Sequence, residues 1–143
     1  GYGIMHPDLA KHMEMLMVNS NSCAAAFTQM AGVEALTGPQ ESVEEMKEAF
    51  RRRRDFLVAA LNDIPGVSCP MPGGAFYAFP DISALGLDGQ TFCDRLLEEE
   101  GVAAAWGTAF GAYGQGHIRL SYATSMENLQ QAAERIRRFA ARL

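Results

Sequence analysis

Residues 116–125 read GHIRLSYATS and place a single arginine, Arg119, in a segment that otherwise has the composition of a buried strand. Side chains of an extended segment alternate between two faces. One face is then apolar and consists of Ile118, Leu120 and Tyr122. The other face consists of His117, Arg119, Ser121 and Ala123. Because desolvating a guanidinium costs several kcal/mol unless a partner compensates it, we expect an anionic group to meet Arg119.

This expectation leaves the identity of the anion open. A guanidinium held on a strand is well suited to a carboxylate, since two parallel hydrogen bonds fix both its position and its orientation. The carboxylate belongs either to an aspartate or glutamate of the chain or to an external ligand. The spacing of residues around Arg119 favours neither.

The composition is that of an ordinary globular protein. The chain has 143 residues, 48% hydrophobic and 20% charged, which fits one compact domain. A net charge of -5 argues against nucleic acids and anionic membrane surfaces as partners. No long apolar run or basic leader predicts a membrane span or a signal peptide, so we expect a cytoplasmic protein. The opening GYGI lacks a methionine and resembles the end of a strand, which indicates a fragment.

Neither the cysteines nor the histidines indicate a metal site. The three cysteines are far apart and odd in number, which favours reduced thiols. The three histidines share no ligand spacing with a cysteine or a carboxylate cluster. No nucleophile and base occur in a recognisable signature. The residues concerned are Cys23, Cys69, Cys93, His6, His12 and His117.

Hydrophobic periodicity predicts the order of the helices and strands. The helices cover residues 8–18, 22–36, 42–63 and 89–100 and the segment after Ser125, with Asn21 or Ser22 capping the second. The strands cover residues 67–69, 75–79, 102–106 and 117–123. From residue 42 onward this order predicts an α+β layer with helices covering a small, mostly antiparallel sheet. The first 40 residues are predicted to form a separate helical piece, whose second helix is apolar enough to be buried.

An arginine run and a glycine-rich loop resemble ligand-binding motifs, but the sequence around each favours a structural role. The run RRRRD at residues 51–55 lies in the long helix, where Glu48 is four residues before Arg52. We therefore interpret it as an exposed, ion-paired helix face rather than a nucleic-acid site. The glycine-rich loop 107–116 leads into a strand and not into a helix, so it predicts a close backbone approach rather than a phosphate cradle.

Six stretches carry a family resemblance along the whole chain. They are GYGI, VNSNSCAAAFTQMAGVEALTGPQ, RRRRDFLVAALN, PGGAFYAFPD, WGTAFGAYGQGHIRLSYA and ERIRRF. The most specific motif is AFGxxGxGHIRLSYA. Together they resemble the C-terminal part of a class I/II, fold-type I pyridoxal-phosphate-dependent aminotransferase, and specifically the bacterial aspartate aminotransferase-like branch.

The resemblance implies an α/β fold in which residues 1–40 are the C-terminal end of the large cofactor-binding domain and residues 41–143 are the small domain. It implies a homodimeric enzyme of amino acid metabolism and biosynthesis that moves an amino group from an amino acid to a 2-oxo acid. Pyridoxal 5′-phosphate is the implied cofactor and electron sink.

The resemblance also implies roles for particular residues. Arg119 matches the arginine that binds the substrate α-carboxylate, and Phe76 matches a residue close to the substrate. Three others are expected near the cofactor or the neighbouring subunit's site. They are Tyr2, Ser20 and Asn21.

The chain departs from the family pattern in two ways. The family's Schiff-base lysine precedes the Gly-Tyr-Gly segment, and neither Lys11 nor Lys47 has a comparable context. We therefore expect the chain alone to be inactive. Trp106 stands where the family usually has a proline, and with Phe76 and Phe110 it indicates an apolar wall.

Two other functions stay open. A free-standing small domain could serve as a non-catalytic binding or dimerisation module through its exposed apolar surface. The parent protein could also be another fold-type I enzyme, such as a C–S lyase, because a shared fold does not dictate one activity.

Overall fold

The computed structural model describes all 143 residues, which divide into two compact units, Gly1–Ser42 and Val43–Leu143. The first unit contains helices α1 (Pro7–Ser20) and α2 (Ala26–Thr37). Helix α3 (Glu41–Asn62) begins at the end of the first unit and lies almost entirely in the second. No helix is both long enough and apolar enough to cross a bilayer.

Helix α1 begins one residue before the predicted range 8–18 and extends two residues beyond it. Pro7 occupies its first position, where a main-chain N–H would have no acceptor within the helix, so the N–H that proline lacks is not missed. Asn19 Nδ2 donates to the Met15 carbonyl at 2.7 Å, and Ser20 Oγ donates to the Leu16 carbonyl at 2.7 Å. These bonds to the preceding turn satisfy the two polar side chains inside the last helical turn.

The predicted start of α2 is wrong, and so is its predicted cap. Ser22 has a left-handed φ of 63°, which a helix cannot contain, and α2 begins only at Ala26, with no side-chain cap. Its end is as predicted, with Gly38 donating to the Glu34 carbonyl at 2.8 Å. No residue of α2 is buried, and Phe27 is 78% exposed. The burial expected of this apolar helix is therefore not found in this chain.

The second unit contains a three-stranded antiparallel sheet. Strand β3 (Ile118–Ser121) runs between β1 (Tyr77–Ala78) and β2 (Ala105–Trp106). Helices α4 (Gly89–Glu100) and α5 (Met126–Ala140) complete the unit with α3. This order confirms the predicted α+β arrangement.

The strands are shorter than predicted. The strand expected at residues 67–69 is a single bridge between Ser68 and Asp81. Pro70 and Pro72 follow it, and proline has no N–H to continue a ladder.

One face of β3 contributes to the hydrophobic core, as the alternation predicts. Ile118, Leu120 and Tyr122 are buried, whereas Arg119 and Ser121 lie on the opposite face. The largest core side chains from the three helices are Leu57, Leu61, Phe92, Leu96, Ile136 and Phe139.

The hydrophobic pattern of α4 predicts that Phe92, Leu96 and Leu97 face inward, and the prediction for Leu97 is wrong. Leu97 is 53% exposed, and Cys93 is buried instead. Phe92, Cys93 and Leu96 form the buried face of α4. Leu97 lies at the edge of this face, where the side chain remains accessible to solvent.

The arginine run of α3 is ion-paired as interpreted, although with different partners. Arg51 pairs with Glu48 at 3.1 Å, in place of the expected Arg52, and Arg54 pairs with Asp55 at 2.7 Å. Residues three apart on a helix face each other as well as residues four apart.

Glu100 connects the ends of α4 and α5 and is the only buried charged residue. Its carboxylate accepts hydrogen bonds from Arg138 and pairs with Arg142 at 2.8 Å. Arg135 donates to its main-chain carbonyl at 3.0 Å. The hydrogen bonds from Arg138 and Arg142 lower the pKa of Glu100 from 4.5 to about 2.

Candidate functional site

Arg119 lies between two aromatic rings on the polar face of the sheet. Its guanidinium carbon is 4.4 Å from the centre of the Tyr77 ring and 4.3 Å from the centre of the Phe110 ring. Both distances lie within the range of cation–π attraction. The two rings therefore hold the charged group in place without neutralising it.

The sheet register explains this arrangement. Tyr77 of β1 is paired with Ser121, which is two residues from Arg119 and on the same face of β3. On the other side of β3, Arg119 is paired with Ala105, whose small side chain leaves space. Phe110 ends the short 3-10 turn Gly107–Phe110, which directly follows β2.

No carboxylate of the chain pairs with Arg119. None of the salt bridges in the structure includes it. The chain therefore does not supply the anion expected beside Arg119. The aromatic rings of Tyr77 and Phe110 contact its guanidinium instead. A shallow cavity of about 190 Å³ lies beside the guanidinium. Its lining residues are Ala103, Ala104, Ala105, Arg119 and Ser121.

Further aromatic side chains extend this face of the sheet. The Phe79 ring lies 6.5 Å from the Phe110 ring and is stacked on His117 at 5.2 Å. His117 Nδ1 lies 2.8 Å from the Gln115 carbonyl oxygen. A cation set among aromatic rings can bind a carboxylate while the rings contact apolar parts of the same ligand.

Phe76 packs on the Tyr77 ring, which in turn contacts Arg119. Its ring is 4.5 Å from the Tyr77 ring and 6.0 Å from the Phe50 ring, and the residue is 40% exposed. The two residues predicted to contact the substrate thus lie in one unit and are linked through Tyr77. Their roles stay predictions.

The glycine-rich loop supports the turn that carries Phe110. A Cβ on Gly107 would collide with the carbonyl group of Gly114, and a Cβ on Gly114 would collide with that of Gly107. Main chain therefore packs directly on main chain at this point, which confirms the predicted close approach.

Trp106 belongs to β2 and pairs with Ile118. Its side chain is partly buried against the hydrophobic core. Because side chains alternate along β2, Trp106 points to the other face of the sheet from Ala105, the residue that pairs with Arg119. Trp106 thus supports the sheet from the core side, and its predicted place in an apolar wall with Phe76 and Phe110 is wrong.

The other predicted site residues belong to the first unit. Tyr2 is 90% exposed. Ser20 ends α1, and Asn21 follows it with its main-chain N–H donating to the Met17 carbonyl at 2.8 Å. Their predicted positions near the cofactor stay predictions.

The residues of this chain do not fit covalent attachment of pyridoxal phosphate. The Lys11 side chain is 77% exposed and lies 3.7 Å from Asp8, and the Lys47 side chain is half-exposed and paired with Glu44. A lysine that attacks a carbonyl must lose its proton, which a desolvated site promotes and an exposed ion pair opposes.

Sequence reasoning missed the two cation–π partners of Arg119. The sequence pattern predicts Phe110 only as part of an apolar wall and predicts no role for Tyr77. A signal was present, because Tyr77 and Phe79 alternate along one predicted strand and Phe110 lies in the glycine-rich loop that precedes β3. Only the register between β1 and β3 places Tyr77 beside Arg119.

Comparisons with known proteins identify the family. The sequence model of the class I and II aminotransferases matches residues 1–136. The aspartate/prephenate aminotransferase of Cereibacter sphaeroides is 42% identical over 100% of this chain and 38% of its own length. The aspartate aminotransferase of Pyrococcus horikoshii is 41% identical over 95% of this chain and 35% of its own length.

A solved structure agrees in fold. The aspartate aminotransferase from Rhizobium meliloti superimposes with a TM-score of 0.88 at 38% identity, covering 95% of this chain and 36% of that one. The chain spans only about a third of the length of the curated relatives that it matches. The family match over nearly the whole chain, the identities above 40% and the shared fold show that the chain belongs to the class I and II aminotransferases, in the fold-type I, aspartate aminotransferase-like branch.

Proposed function

We propose that the chain is the C-terminal part of an aminotransferase subunit that moves an amino group between an amino acid and a 2-oxo acid, and that Arg119 binds the substrate α-carboxylate. Family membership supports the reaction class. The role of Arg119 rests on one observation. Its guanidinium has no carboxylate partner and lies between the rings of Tyr77 and Phe110, beside an open cavity.

Arg119 acts by binding and orienting the substrate. Its planar guanidinium can donate two parallel N–H···O bonds to a carboxylate, which fixes the direction of the bond to the α-carbon. The rings of Tyr77 and Phe110 keep water from the guanidinium on two sides, and a less polar surrounding strengthens its attraction to the carboxylate. Phe76 and Phe110 then form an apolar wall beside the bound carboxylate.

Pyridoxal 5′-phosphate is the cofactor that the family implies, and when bound it supplies the electron sink that side chains lack. Because Lys11 and Lys47 do not fit its attachment, we assign the attachment lysine to another part of the full-length protein. This chain's own contribution is the carboxylate site.

We further propose that residues 1–40 belong to the large cofactor-binding domain and that residues 41–143 form the small domain. The division of the chain into two compact units after Ser42 supports this assignment. The full exposure of α2 also supports it, because an apolar helix is normally covered by another domain or subunit. In a homodimer, Tyr2, Ser20 and Asn21 would lie near the cofactor or the neighbouring subunit's site.

The names of the relatives make aspartate the first amino donor to test. We would incubate the cofactor-loaded full-length protein with aspartate and 2-oxoglutarate and quantify all products. An aminotransferase forms oxaloacetate and glutamate in equal amounts and releases no ammonia.

The alternatives give different products. A C–S lyase would release ammonia and a thiol from a sulfur-containing amino acid, without a need for a 2-oxo acid. A binding or dimerisation module would associate in solution but convert no amino acid. Either result, obtained with a panel of donors, would contradict the proposed function.

A further inference from the structure

Ala75 has a strained backbone next to the candidate site. Its φ of 58° lies in the left-handed region, and apart from glycines it shares this property only with Ser22. A side chain with a Cβ disfavours this conformation, which persists only where surrounding contacts impose it. Phe76 and Tyr77 follow directly, so the conformation of Ala75 sets the direction in which both rings leave the turn.

Tyr122 makes two hydrogen bonds to the turn that contains Ala75. Its hydroxyl donates to the Ala75 carbonyl at 3.0 Å, although the two residues are 47 positions apart. Its main-chain N–H donates to the Phe76 carbonyl at 2.9 Å. Tyr122 is 1% exposed, so the hydroxyl needs a hydrogen-bond partner within the protein, and the Ala75 carbonyl is that partner.

The same turn is connected to Arg119 through the rings. The Phe76 ring lies 4.5 Å from the Tyr77 ring, which lies 4.4 Å from the guanidinium carbon of Arg119. Tyr122 itself follows Arg119 by three residues along the segment that contains β3. A single phenol therefore ties the turn that carries two site rings to the segment that carries the cation.

Resting on the proposed function, we propose that Tyr122 is a positioning residue, whose hydroxyl locks the Ala75 turn and thereby holds Phe76 and Tyr77 in place beside Arg119. It acts through these residues and does not touch the substrate. Without the hydroxyl, Ala75 relaxes to negative φ and the two rings shift, so the carboxylate must reorder its own site on binding. Substrate affinity falls, whereas the chemical step of bound substrate is little changed.

The test is Tyr122→Phe in the cofactor-loaded full-length enzyme, with Tyr113→Phe as the matched control. Tyr113 is fully exposed, so the control removes the same hydroxyl where it supports nothing. We expect Tyr122→Phe to raise KM for the amino donor roughly tenfold and to change kcat less than about twofold. The Kd for succinate, a carboxylate that cannot react, should rise by a similar factor. Tyr113→Phe should change none of these values.

Ala75→Gly provides a second, independent variant. Glycine adopts the left-handed conformation without strain, so the turn depends less on the hydroxyl. In this background Tyr122→Phe should raise KM only about threefold or less, a non-additive result. Equal effects of Tyr122→Phe in both backgrounds would overturn the proposal.

Three further outcomes are decisive. If Tyr122→Phe matches Tyr113→Phe while Arg119→Ala weakens succinate binding, the positioning role is wrong and the proposed function stands. If Arg119→Ala leaves succinate binding unchanged, the carboxylate site is wrong and the positioning role fails with it. If Tyr122→Phe only lowers the thermal midpoint and the fraction of active enzyme, with KM per active site unchanged, the residue is merely structural and the proposal is overturned.

Discussion

The guanidinium carbon of Arg119 lies 4.3 Å from the centre of the Phe110 ring. Phe110 is 53% exposed and comes from the turn after β2, so it contributes little to the hydrophobic core. Its position is better explained by the cation that it covers. A flat aromatic face restricts where the guanidinium can move and leaves its N–H groups available to a ligand.

Replacing Phe110 by leucine should weaken carboxylate binding. Leucine keeps most of the apolar volume but has no π face, so Arg119 loses one cation–π contact. We expect kcat/KM for the amino donor to fall roughly three- to thirty-fold, with the thermal midpoint nearly unchanged. Tyr113→Leu is the matched control, because Tyr113 lies in the same loop and is fully exposed. Equal kcat/KM values for the two variants would contradict the role of Phe110.

Gly107→Ala should be strongly destabilising. The added Cβ would collide with the carbonyl group of Gly114, which is main chain and cannot move aside as a side chain can. We expect the free energy of unfolding to fall by about 3 kcal/mol or more in urea denaturation. Gly73→Ala, where nothing lies within 4 Å of the added Cβ, should cost about 0.5 kcal/mol or less. Similar losses for both variants would show that the close packing at Gly107 is absent.

The Glu100 carboxylate should contribute to stability in a pH-dependent way. Folding lowers its pKa from 4.5 to about 2, so its contribution is present above about pH 4.5 and is lost as the pH falls toward 2. Glu100→Gln lacks this contribution at every pH. The thermal midpoints of wild type and Glu100→Gln should therefore differ clearly at pH 7, and the gap should narrow below about pH 4.5 and close near pH 2. Glu98→Gln is the control, because Glu98 is exposed and forms no salt bridge. A difference in thermal midpoint between wild type and Glu100→Gln that does not change with pH would refute this account.

The buried cysteines should resist alkylation in the native protein. Cys93 is 4% exposed, and burial raises its pKa to about 11, so very little reactive thiolate forms near pH 8. Cys69 is also buried, and burial raises its pKa as well. Mass spectrometry after iodoacetamide treatment should find both thiols unmodified until denaturant is added. Rapid labelling of Cys93 without denaturant would show that α4 does not pack as described.

The fold was predictable where local chemistry and tertiary packing agree. Helix α5 begins after Ser125, whose Oγ accepts from the Asn128 N–H at 3.2 Å, and the sequence alone indicates this cap. The alternation along β3 predicted its buried face correctly because one face of the strand packs on the core. The start of α2 was not predictable, because the left-handed turn at Ser22 leaves no mark in a polar segment.

The site was predictable only in part. Alternation and the charge of Arg119 indicated a guanidinium that needs a partner, but they pointed to an anion and not to aromatic rings. The contacts of Arg119 with Tyr77 and Phe110 depend on strand register and on a turn 42 and 9 residues away in sequence, respectively. The hydrogen bond from Tyr122 to Ala75 likewise joins segments that no local pattern connects.

The central claim is that Arg119 binds the substrate carboxylate, and steady-state kinetics of Arg119→Ala in the cofactor-loaded full-length enzyme test it most directly. Arg52→Ala is the control, because Arg52 is exposed and forms no salt bridge. Loss of two charge-assisted hydrogen bonds should lower kcat/KM for the amino donor roughly a hundredfold or more, with cofactor absorbance and thermal midpoint retained. A kcat/KM for Arg119→Ala within about twofold of the Arg52→Ala value would contradict the claim.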